Sequence, residues 1–193
     1  PLSAETALDP ASSQAVMFSL AETDAQIPVR NQFDTVNNGV VATNGGTVVI
    51  EGEDGTWDVW WNTGKQSTIE SGKQLIVSVD GSTVLTQKTN ELTVWHADSD
   101  KPRILDQGSF IEGVAIAANN TIITGDRSGI LKIWSPNSNS PRSLDHDSRI
   151  IDVAISDDAK TIAASGGNGI VKVWNSEANQ PRVLDNGSNE IVQ

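Results

Sequence analysis

Ile170-Val-Lys-Val-Trp174 is the last of four near-copies in this chain. The others are Ile130-Leu-Lys-Ile-Trp134, Glu91-Leu-Thr-Val-Trp95 and Thr56-Trp-Asp-Val-Trp60. The closing tryptophans stand 35, 39 and 40 residues apart. Aliphatic or branched residues recur at every second place within each run, the period of a strand with one buried face. A supersecondary unit recurring at this interval indicates a propeller or a solenoid, because a single unit cannot bury its apolar face and must stack on its neighbours.

The rest of the unit appears on either side of the tryptophans. Some twenty residues upstream lie Val40, Leu75, Val114 and Val153, each followed two places on by Ala42, Val77, Ile116 or Ile155. That alternation reads as a first, half-buried strand. A polar turn leads to a second strand, in Thr47-Val-Val-Ile, Ser82-Thr-Val-Leu, Thr121-Ile-Ile-Thr and Thr161-Ile-Ala-Ala. A tight turn follows at Asp54-Gly55, Thr89-Asn90, Ser128-Gly129 or Asn168-Gly169. Asp-Gly and Asn-Gly tolerate the positive φ that hairpins require. The Trp-ended strand is third. A fourth begins at Pro102-Arg, Pro141-Arg or Pro181-Arg. Proline lacks a ladder donor and suits the start of an edge strand.

This unit resembles the WD-repeat β-propeller family over roughly residues 28 to 193, and most closely over Leu144–Trp174. Within that stretch lie a loop histidine, His146, the strand Val153–Ser156, and a hairpin with Asn168 where the family usually has Asp. The resemblance implies an all-β propeller of four-stranded antiparallel blades, with four complete repeats and partial blades at both ends. It also implies that Trp60, Trp95, Trp134 and Trp174 pack blades together. His146, Trp174 and Ser165 are then expected in a hydrogen-bonded set that pins the blade, with Asn168 and Asp54 at hairpin positions. Departures from the family are numerous. The Asp after the tryptophan is replaced by Trp61, His96, Ser135 and Asn175, and the loop Gly-His dipeptide survives only as Asp145-His146. The repeats therefore resemble a degenerate, bacterial-type branch.

The expected divisions are an arm at 1–12, outer strands of a partial blade at 13–34, and blades at 35–70, 71–106, 107–145 and 146–185. Residues 186–193 read as the start of a further blade. The chain thus reads as a piece of a longer protein whose terminal blades are covered by further blades, another copy or another subunit. A ring in which both partial ends share one blade is the competing reading.

Composition narrows the function classes. A formal charge of −12, with only 13 Lys and Arg among 193 residues, argues against a nucleic-acid partner, which needs clustered cations to meet phosphates. An anionic membrane surface is disfavoured for the same reason. No cysteine is present, so disulfides and thiolate metal sites are excluded. No run of 18 apolar residues occurs, and no charged segment followed by an apolar one follows Pro1.

Candidate chemistry is sparse. The only histidines, His96 and His146, fall in different repeats without metal-ligand spacing. His146 reads as structural and His96 as solvent-facing. Glu51, Glu53, Asp54 and Asp58 cluster in one hairpin and could serve a cation, but a polar turn on an acidic surface is the preferred reading. Lys132 and Lys172, inside Trp-ended strands, read as stems laid over apolar surface with their charges reaching water. Neither a Gly-x-Ser-x-Gly elbow nor a phosphate-cradling loop before a helix occurs, so no catalytic residue and no cofactor is expected.

Recognition is expected at one rim, where the turns before each first strand meet the middle hairpins. That rim would carry Phe110, Arg127, His146 and Arg149, with Lys88 nearby. The leading expectation is a non-catalytic scaffold or recognition module for protein partners. A structural component of an extracellular or virion-like assembly, and a propeller enzyme such as a glycosidase, are the rivals.

Overall fold

A computed structural model describes residues 39–41, 46–51, 55–70 and 72–185. Among them every regular element is a strand, and no helix occurs. The first sheet holds β1 (Gly39–Val41), β2 (Val48–Glu51), β3 (Thr56–Trp60) and β4 (Gln66–Glu70). The second holds β5 (Gln74–Val77), β6 (Thr83–Gln87), β7 (Glu91–His96) and β8 (Arg103–Asp106). The third holds β9 (Ile111–Ile116), β10 (Ile122–Asp126), β11 (Ile130–Trp134) and β12 (Arg142–Asp145). The fourth holds β13 (Ile150–Ile155), β14 (Thr161–Gly166), β15 (Ile170–Asn175) and β16 (Arg182–Asp185). Within each sheet the strands pair in chain order, so all four are antiparallel meanders, as the repeat predicts.

The middle hairpins turn on Gly55, Gly129 and Gly169, with φ of 76°, 90° and 79°. An L side chain is strained there, which is why the sequence keeps glycine at three of the four hairpin tips. Asp54, expected to share the first of these turns, lies outside the described residues.

Each pair of consecutive sheets encloses one apolar core. Between the first and second lie Trp57, Val59, Trp61, Ile69 and Val84, with Trp95 packed against them. Leu85, Leu92, Val94, Leu105, Ile111, Ile122 and Trp134 fill the space between the second and third. Ile123, Leu131, Leu144, Ile150, Ile162 and Trp174 fill the space between the third and fourth. Side chains alternate between the two faces of a strand. Trp95, Trp134 and Trp174 therefore face the preceding sheet, while in the first three runs the residues one and three places before the closing tryptophan face the next.

Burial of the four tryptophans is uneven. Trp134 and Trp174 are fully buried against the sheet that precedes each. Trp95 is half-buried against the first sheet. Trp60, expected to share the role, is also only half-buried, and in β3 it is Trp57 and Val59 that face the second sheet. Trp61, next along the chain, joins that core and donates its indole N–H to Ser67 Oγ at 3.1 Å. The outer strands follow the same logic. Ile69, Leu105 and Leu144 are buried by the sheet that follows them, whereas the matching Leu184 on the fourth sheet is 42% exposed.

Two further devices hold neighbouring sheets in register. A Cβ at Gly113 would stand 2.9 Å from the backbone nitrogen of Val153, so β9 and β13 approach closer than any side chain allows. Cations at the outer strands also reach across to the next sheet. Arg103 donates to the carbonyls of Pro136 and Ser138 and to Asn139 Oδ1. Arg142 repeats this one sheet on, with the carbonyls of Ser176 and Ala178 and with Asn179. Lys65 does the same work in the first sheet, bonding Ser99 O at 3.0 Å and Asp100 at 2.7 Å. The Pro102-Arg103 and Pro141-Arg142 pairs of the sequence are thus inter-sheet clamps.

Candidate functional site

Three of the four residues expected at the rim come together. Phe110, just before β9, accepts the backbone N–H of Arg127 from the β10–β11 hairpin at 3.0 Å. The Arg127 guanidinium carbon lies 4.0 Å from the Phe110 ring centre, and Lys73 Nζ lies 4.7 Å from it. Arg149, just before β13, arrives from the fourth sheet. Both arginines end on one carboxylate: Arg127 Nε and Arg149 Nη2 donate to the same oxygen of Glu112, the latter at 2.7 Å.

Glu112 has no precedent in the sequence reading, and the reason is a β-bulge. Gly125 pairs with Gly113 and Asp126 with Ile111, so Glu112 is the extra residue on β9. A bulge turns its extra side chain away from the regular alternation. The fourth sheet repeats the bulge at Ile151, since Ile150 pairs with Gly166 and Asp152 with Ser165. Ile151 is 52% exposed, two residues from Arg149.

The hairpin that carries Arg127 is fixed from beneath by Asp126. One carboxylate oxygen accepts the backbone N–H groups of Ser128 and Ile130, at 2.8 and 3.0 Å, and the Ser128 hydroxyl. The other accepts Gln107 Nε2 at 2.8 Å. The Gln107 carbonyl oxygen takes the Thr124 hydroxyl proton, and Thr124 Oγ1 accepts Trp134 Nε1 at 2.8 Å. A buried chain of hydrogen bonds therefore runs from Trp134 through Thr124 and Gln107 to Asp126, and so to the turn bearing Arg127.

Electrostatics favour ionised groups at the surface of this cluster. The hydrogen bond from Arg127, reinforced by the charges of Arg127 and Arg149, holds the Glu112 carboxyl below the usual glutamate range against the opposing effect of its burial. Glu112 is 14% exposed, while both arginine side chains are 53% exposed. Two half-exposed guanidinium groups thus share one sunken carboxylate.

The other expected site residues lie elsewhere. Lys88 belongs to a separate pair, bonding Glu70 at 2.7 Å, which keeps the Glu70 carboxyl ionised to lower pH than usual. His146 is fully buried and meets Trp174 edge-on, with ring centres 6.2 Å apart. Burial pushes its pKa below the ordinary value of 6.5. Its Nε2 lies 3.2 Å from Ala164 O, and its Nδ1 is buried without a hydrogen-bond partner. Ser165, expected beside it, instead reaches Asp152 O at 3.5 Å, and Asn168 accepts the Ile170 N–H within its own turn. The places that Thr124 and Asp126 fill in the third sheet are held in the fourth by Ala164 and Gly166. A Cβ at Gly166 would stand 2.3 Å from the imidazole of His146, so the ring itself occupies the space an Asp would need.

His96 is half-buried rather than solvent-facing, because its Nδ1 pairs with Thr83 Oγ1 at 3.1 Å. Lys132 and Lys172 both use their charges: the first reaches the carbonyls of Asp106 and Gln107, the second the carboxylate of Asp147. Of the acidic hairpin, Asp58 accepts the hydroxyl of Thr68 at 2.7 Å, and Glu53 and Asp54 lie outside the described residues. Among the described residues no three His, Asp or Glu side chains gather in a way that could hold a metal ion. No family model matches the chain. No curated protein matches it either.

Proposed function

We propose that this chain is a non-catalytic recognition module of the WD-repeat β-propeller kind, binding a protein partner through the rim at Phe110, Arg127 and Arg149. Four consecutive meanders, the last three each packing the tryptophan-bearing face on the sheet before, support the propeller reading. Leu184, exposed where its counterparts are covered, marks the place a following blade would take. The observation that carries the function is the convergence of arginines from two sheets beside an aromatic ring, on turns that buried hydrogen bonds hold still. Arginine and aromatic residues dominate interface energetics, and a preorganised surface loses little entropy on binding.

The test is affinity capture from the native source with the intact chain and with a Phe110→Ala/Arg127→Ala/Arg149→Ala variant. A partner retained by the parent and by an Asn119→Ala/Asp157→Ala control, but lost by the rim variant, supports the proposal. Equal retention by all three contradicts it, as does hydrolytic turnover that one carboxylate substitution abolishes.

A further inference from the structure

Resting on that reading of the rim, we infer that the arginine pair Arg127 and Arg149 is a carboxylate-recognition site, whose occupant is an acidic segment of a polypeptide. The charge count is the starting point. Two guanidinium groups share Glu112, and Lys73 adds a third cation beside Phe110, so even with the Asp126 carboxylate beneath the hairpin the cluster keeps a local excess of positive charge in a chain with a net charge of −12. Exposed ion pairs stabilise a fold by little, typically about 0–1 kcal/mol. The arrangement is therefore poorly explained as a structural device, all the more because the hairpin is already fixed by Asp126.

As a binding device it is well built. Glu112 accepts one N–H from each arginine and so sets the direction of both planar groups. The unused N–H groups of each remain available for a forked contact to an incoming carboxylate, the geometry in which arginine surpasses lysine. Phe110 backs Arg127 with its ring. Ile151 offers exposed apolar surface close to Arg149 in the chain, suited to an aliphatic residue beside the acidic one. A nucleic acid fits less well. Phosphate-backbone binding uses a long stripe of cations. The next cation along this rim, Lys88, is already paired with Glu70.

Fluorescence anisotropy on the intact chain tests the inference, with four labelled probes. They are a Glu-rich peptide carrying one Leu, its Gln-for-Glu counterpart, a phosphoserine-for-Glu version, and a single-stranded oligonucleotide. The expected result is binding of the Glu peptide, with the Gln counterpart weaker by about tenfold or more, the loss of one or more charge-assisted contacts. Arg127→Gln and Arg149→Gln should each weaken it by a similar factor, Arg149→Lys by less, and Lys160→Gln, off the rim, not at all.

Equal binding of the Glu and Gln peptides would overturn the inference, as would Glu-peptide binding indifferent to both arginine substitutions. Preference for the phosphoserine peptide or the oligonucleotide, with no Glu-peptide binding, would reassign the site. Rim-dependent dimerisation of the chain itself would do the same. In any of these cases, rim-dependent capture of a protein in the preceding experiment would still leave the recognition-module reading in place, so the two can fail separately.

Discussion

Gln107 and His146 occupy the same position in successive sheets, yet only Gln107 closes a hydrogen-bonded set. The amide both donates and accepts, linking Asp126 to Thr124 and through it to Trp134. The imidazole meets Ala164 O with one nitrogen and leaves the other buried and unpaired. The third sheet thus has the polar network that the sequence suggested for the fourth.

Thr124→Val should show what that network contributes. The substitution keeps the shape and removes the hydroxyl, stranding the Trp134 N–H and the Gln107 carbonyl in a buried place. Each unsatisfied buried group costs about 1–3 kcal/mol, so urea unfolding should show a loss of roughly 2–6 kcal/mol. A loss below that range would mean that the chain of bonds from Trp134 to the rim is incidental.

His146 should make stability depend on pH. Its folded pKa is depressed by burial, so the folded state takes up a proton less readily than the unfolded chain. Its stabilising contribution is complete above the ordinary value of 6.5 and declines as pH falls below it toward the depressed folded pKa. Urea midpoints measured from neutral pH downward, above the carboxylate range, should fall for the parent and fall less for His146→Gln. Identical slopes for the two proteins would contradict the assignment.

Arg142→Lys should weaken the join between the third and fourth sheets despite keeping the charge. The guanidinium reaches two carbonyls and the Asn179 side chain together, and a lysine ammonium cannot span that fork. Losing one or two such bonds should cost about 1–3 kcal/mol in urea unfolding. An unchanged midpoint would show that the clamp is not needed for register.

What was legible in the sequence was whatever leaves a mark within a single strand. The runs ending at Trp95, Trp134 and Trp174 alternate with period two, and Gly55, Gly129 and Gly169 mark hairpin tips by their need for positive φ. Phe110, Arg127 and Arg149 could be placed on one rim because loop position follows from strand order. Glu112 could not be found, because a bulge is a mismatch between two strands and leaves no signature in either. Gln107 was missed because it replaces histidine in role while sharing none of its chemistry as a motif. Trp60 holds the same repeat position, while the core between the first and second sheets is filled from the other face of β3 by Trp57 and, just beyond it, Trp61.

Trp95, Trp134 and Trp174 each join their sheet to the one before it. The most direct test is urea unfolding of Trp134→Ala and Trp174→Ala beside Trp60→Ala. The buried pair, 2% and 1% exposed, should each lose about 3–5 kcal/mol, the usual cost of truncating a large core aromatic, and half-buried Trp60 distinctly less. Equal losses at all three positions, or no loss at Trp134 and Trp174, would contradict the account.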